Sequence, residues 1–232
     1  MSTEVNPSRE GFQGPALGGV QGQSPWLLRV LTFLSPAFPT GAYAYSHGLE
    51  WAVEAGDVTG RETLTAWIAD LLAHGSLWSD SILLRHVWRA DVETLAAHAS
   101  ACAPTRERQE ETLAQGAAFL RAAGVWFDLP QDIPMPLPIA AGLGLRQAGL
   151  EESTACLAFL HAAVASLVSA GVRLVPLGQT DGLRSQAALE SAIMDTAQRT
   201  GDASLDDIGG VCLRADIAAM RHETQHTRLF RS

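Results

Sequence analysis

Apolar residues recur at offsets of three and four along most of this chain, the spacing that gathers side chains onto one face of a helix. Leu64, Trp67, Ile68, Leu71 and Leu72 make one such stripe, and Leu157, Leu160, Val164, Leu167 and Val168 make a second. Ala188, Leu189, Ala192 and Ile193 make a third. A further amphipathic stretch runs over 104–127, opened by Arg106, Glu107, Arg108, Glu110 and Glu111. A proline suits a first helical turn, and acids there complement the helix dipole. Few segments show the strict alternation of a half-buried strand, and the alanine-rich filling favours helix. Breaks fall at 35–41, at 128–138 with its four prolines, at 176–182 and at 201–210. Thr180 and Asp181 offer caps for the helix that follows. No repeat of fixed period emerges. The expectation is an all-α fold: one globular helical domain of roughly eight to ten helices over 25–212, a flexible N-terminal tail at 1–24, and a polar C-terminal segment at 213–232.

Composition narrows the class. A chain of 232 residues can bury a full core, and 47% apolar with 18% charged residues is ordinary for a globular protein. No uninterrupted apolar run approaches the roughly 20 residues that cross a bilayer. Residues 1–24 lack the basic start and apolar stretch of a signal peptide. The net charge of −9 counts against nucleic acid, which needs clustered positive charge. Cys102, Cys156 and Cys212 are odd in number and widely spaced, which fits a reducing, cytoplasmic setting and small hydrophobes in a core. All 16 basic residues are Arg. Without lysine there is no GxxxxGK phosphate loop and no Schiff-base chemistry, so P-loop nucleotide hydrolysis must come from a partner.

Three patterns invite chemistry. His222-Glu223-Thr224-Gln225-His226 is the H-E-x-x-H string in which two histidines on one helix face hold zinc and the Glu acts as base. A catalytic zinc needs three protein ligands, and 227–232 holds no third. What remains is weak binding of nickel or zinc by His222 and His226, or a polar, exposed helix end. Gly142-Leu143-Gly144 lacks the spacing of a dinucleotide loop and reads as helix-packing glycines, while His161 lies on an apolar stripe and reads as a satisfied core imidazole. The segment 213–232 is net basic on an acidic chain, with Arg214, Arg221, Arg228 and Arg231 against Asp216 and Glu223. With Leu229 and Phe230 it reads either as a frayed tail or as a docking tail with an aromatic anchor among arginines. In the second reading it folds onto a partner instead of its own domain, and truncation after His226 leaves the fold intact.

The block 35–50, Ser-Pro-Ala-Phe-Pro-Thr-Gly-Ala-Tyr-Ala-Tyr-Ser-His-Gly-Leu-Glu, resembles the N-terminal signature of the UreF family. The blocks 175–182 and 215–232 agree with that family in order and spacing, so the resemblance runs from about residue 26 to residue 232. It implies an all-α homodimer that matures urease, an enzyme with two nickel ions. UreF-like proteins bind UreD (also called UreH) and the GTPase UreG and hold them with apo-urease, where GTP hydrolysis is coupled to nickel delivery. The resemblance implies no catalytic residue and no cofactor. It marks Tyr43, Tyr45, His47 and Glu50, with Arg228, Leu229, Phe230 and Arg231, as partner-binding; the first group reads alternatively as a loop leading into a helix, packed inward. The family pattern usually has Tyr where His226 stands, which makes the H-E-x-x-H string the product of one substitution. A small zinc-dependent hydrolase is the alternative.

Overall fold

The computed structural model describes residues 25–209 and 211–232, and the tail expected at 1–24 lies outside the described residues. The helices are α1 (Trp26–Phe33), α2 (Leu49–Glu54), α3 (Arg61–His74), α4 (Ser76–His86), α5 (Val92–Ala101), α6 (Arg106–Ala123), α7 (Leu137–Gln147), α8 (Glu152–Leu174), α9 (Gln179–Ala188), α10 (Glu190–Arg199) and α11 (Leu213–His222). Ten of them have eight residues or more and α2 has six. There is no strand among the described residues, so the all-α reading and the helix count are borne out.

The predicted stripes explain the packing. All five stripe residues of α3 are buried. Helix α8 runs between α4, α7, α9 and α10 and buries Leu160, Val164, Leu167 and Val168 among them. By length and composition α8 could cross a bilayer, yet half of its apolar run packs inside this fold as a core helix. Leu157, the first residue of that stripe, is exposed. The third stripe is not one helix. α9 stops at Ala188, the Leu189 amide donates to Ser185 and Gln186, and α10 restarts at Glu190. Leu189 and Ile193 are buried while Ala188 is exposed. A break that keeps the helical phase leaves no trace in apolar spacing. α9 itself begins at Gln179 behind Gly178, so Thr180 and Asp181 lie inside its first turn instead of capping it.

Glycines set the closest helix approaches. A Cβ on Gly116 of α6 would lie 1.8 Å from the Met135 carbonyl oxygen, so only glycine lets α6 lie against the segment leading into α7. Gly142 abuts Val87 and the Leu84 carbonyl, and Gly144 abuts the Phe119 ring, as expected of packing glycines. Phe38 stacks obliquely on Phe33 and Phe119, at 5.4 and 5.2 Å between centroids, and so pins the start of the 35–50 block to α1 and α6. The N-terminal half of α6 thereby lies between that block and the C-terminal segment.

Candidate functional site

The buried face of α6 comprises Arg108, Glu111, Thr112 and Gln115, then Gly116, Phe119, Leu120 and Ala123. Its first two turns carry polar groups in core register, and such groups need partners when buried. Glu111 is 1% exposed. Its Oε1 accepts from His47 Nε2 at 2.9 Å, Arg108 Nη1 at 3.1 Å and Gln115 Nε2 at 2.9 Å. Its Oε2 accepts from Ser232 Oγ at 2.7 Å. Burial by itself pushes this carboxyl upward. The charges of His47 and Arg108, with hydrogen bonds from His47 and Ser232, outweigh burial and hold it at about 2. Arg108 also binds Asp80 at 2.5 Å, and there burial prevails and raises the Asp80 carboxyl.

A second buried group lies beside the first. Glu50 accepts from the backbone amides of Leu229 at 2.6 Å and Phe230 at 2.9 Å, and from His222 Nε2 at 3.2 Å. His222 is fully buried, and its Nδ1 lies 2.8 Å from Glu107 Oε2. Both ring nitrogens thus face carboxylate oxygens, Glu50 on one side and Glu107 on the other. Arg228 Nη1 binds the other Glu107 oxygen at 2.5 Å. The backbone continues the seam: Arg231 N donates to Ala44 O and Ser46 N to Ser232 O, both at 2.7 Å. The Arg173 guanidinium lies 4.4 Å over the Phe230 ring and donates to the Tyr43 carbonyl at 2.9 Å.

Local backbone makes this seam possible. Gly41 and Gly48 adopt left-handed φ values of 76° and 77°, and His47 does so at 55° without being glycine. A Cβ on Gly48 would come within 2.7 Å of the Ala219 amide nitrogen, so α11 sits directly on this turn. The Glu111 bond holds the strained His47 in place.

All eight residues marked by the resemblance as partner-binding thus meet in one region. Tyr43 and Leu229 are 75% and 78% exposed, and Arg228 and Arg231 are also exposed. Tyr45 and His47 are half-buried, whereas Glu50 and Phe230 are buried inside the fold. The expectation of a tail free of its own domain is therefore corrected: Glu50, Glu107 and Glu111 draw on donors from 228–232. Phe230 is an internal anchor, and truncation after His226 strips those carboxylates of partners.

The His222–His226 pairing is corrected as well. α11 ends at His222, Glu223 and Thr224 turn away, and His226 is exposed on irregular backbone, so the two imidazoles share no helical face. His222 is core, not a polar helix end, and the hydrolase alternative loses its geometry. Among the described residues no group of three or more His, Cys, Asp or Glu side chains is placed to hold a metal ion. Cys156 and Cys212 are buried as expected, but Cys102 is exposed. His161 is exposed beside Gln186 instead of in the core. The sequence reading passed over Asp80, Glu107, Arg108 and Glu111 as site residues. One signal was present: positions 108, 111 and 115 extend the apolar stripe of 119 and 123 backwards at helical spacing.

The UreF family model matches residues 58–190. The chain is 47% identical over 222 residues to the urease accessory protein UreF of Bradyrhizobium sp. strain BTAi1, covering 90% of this chain and 92% of that one. It is 50% identical over 209 residues to the urease accessory protein UreF of Cereibacter sphaeroides strain KD131, covering 89% and 98%. With that of Rhodopseudomonas palustris strain BisB18 the identity is 46% over 225 residues, covering 90% and 93%.

Proposed function

The chain belongs to the UreF family of urease accessory proteins, and we propose that it is a non-catalytic scaffold of urease activation that binds UreD and the GTPase UreG and assists GTP-dependent nickel insertion into apo-urease. The observation that carries this reading is near full-length similarity to proteins named for that accessory role. The chemistry supports it. A chain without lysine has no phosphate-loop ammonium, so GTP turnover belongs to the partner. Tyr43, Leu229 and Arg231 form an exposed aromatic, aliphatic and guanidinium patch at the seam, a composition suited to a protein partner. The scaffold works in the cytoplasm as a homodimer, and engages neither nucleic acid nor membrane.

The test is co-expression with UreD, UreG and apo-urease, reading complex recovery and GTP-dependent urease activity. The full chain recovers both, and alone it turns over neither GTP nor peptide. Tyr43→Ala and Leu229→Ala each weaken complex formation at least tenfold with unchanged thermal stability, because neither side chain is buried. Failure to retain UreD or UreG, or full activation without this chain, overturns the reading.

A further inference from the structure

At the C-terminal end of α5, His98 Nε2 lies 3.6 Å from Cys102 Sγ, one helical turn on. The Cys102 amide donates to the His98 carbonyl, which fixes the backbone spacing of the pair. Cys102 is the exposed cysteine of the three. Bonds of about 2.3 Å to sulfur and about 2.1 Å to nitrogen subtend about 3.6 Å across a tetrahedral centre and about 3.1 Å across a square-planar one. The side chains already stand at the tetrahedral separation.

We propose that His98 and Cys102 form a two-ligand site for a thiophilic, tetrahedral divalent cation of the zinc class. Water fills the two remaining positions, for Cys102 also lines a cavity of about 150 Å³ that reaches Asp80, Arg108 and Asp216. Among the described residues no third ligand completes the pair, so the ion exchanges freely. The site is separate from His222, whose nitrogens are engaged by Glu50 and Glu107. It does not rest on the role in urease activation, since its readout needs only the purified chain.

The competing account of the same contact is a weak thiol–imidazole hydrogen bond, and cobalt(II) distinguishes the two. Added to the reduced full-length chain, one equivalent should give thiolate-to-cobalt charge-transfer absorption and the intense visible bands of tetrahedral cobalt(II), both displaced by zinc(II). Cys102→Ser should abolish the charge transfer, and His98→Ala should weaken binding at least tenfold. His226→Ala should change neither, and circular dichroism should show all three variants folded. Absence of the charge-transfer band, its persistence in Cys102→Ser, or a purely octahedral spectrum would overturn the proposal.

Discussion

Glu111 shows how one buried carboxylate ties pH to stability. Its folded carboxyl lies at about 2, below the ordinary 4.5, so the folded state binds fewer protons than the unfolded chain. The stabilisation is fully present above about 4.5 and is lost as pH falls towards about 2. A shift of this size corresponds to about 3 kcal/mol. Glu111→Gln should therefore destabilise the chain by about 3 kcal/mol near neutrality, and the gap to wild type should close as pH falls through that window. Urea denaturation of both proteins across pH measures it, and a gap independent of pH would show that Glu111 is not the linked group. Little of this was legible in the sequence. His222 and Glu50 are 172 positions apart, as are no two residues that local spacing can pair. Apolar periodicity reports which face is inside, not which buried charges find one another.

Helices were the most legible level, because each buries one stripe and spacing records it. The misreadings sit where two helices share a phase, as at Leu189, or where a helix stops early, as at His222. Two expected outcomes belong here. Gly116→Ala puts a methyl into the Met135 carbonyl, a backbone atom that cannot rotate aside, and should cost about 3 kcal/mol or more by denaturant unfolding. A loss below about 1 kcal/mol would mean α6 and the segment before α7 can separate freely. The C-terminal segment tests the seam differently. Cleavage after Arg228 requires that stretch to leave its bonds to Glu107 and Glu50. Glu50→Ala removes two amide acceptors and the His222 partner, so trypsin should cut there at least tenfold faster while α3 to α10 stay protected. Unchanged cleavage would show that Phe230 packing alone holds the segment.

At the scale of the whole molecule, a buried polar seam on one side contrasts with an apolar face elsewhere that the described residues leave exposed. Leu31 of α1, Leu157 of α8 and Met194 of α10 are exposed around a groove of about 730 Å³ floored by Ala158, Ala162 and Ala165. The α8 stripe was legible as apolar, but the sequence could not say that its first residue faces outward, since a core face and an interface face read alike. Large residues rimming a valley of small ones suit a self-complementary contact, and the homodimer proposed above is expected to bury this face. Leu157→Glu sets one carboxylate per protomer against an apolar surface without disturbing the core. The dimer should weaken by about 100-fold, equivalent to about 2.7 kcal/mol. Light scattering with size-exclusion chromatography should then show monomer at micromolar concentration, with helicity and the Glu111-linked acid transition both retained. Because the seam and the groove use different side chains, the monomer should keep the UreD binding proposed above for Tyr43 and Leu229. A Leu157→Glu, Met194→Arg double variant that remains dimeric would move the interface elsewhere on the molecule. Loss of UreD binding with the dimer would instead show that the partner surface is shared between two protomers.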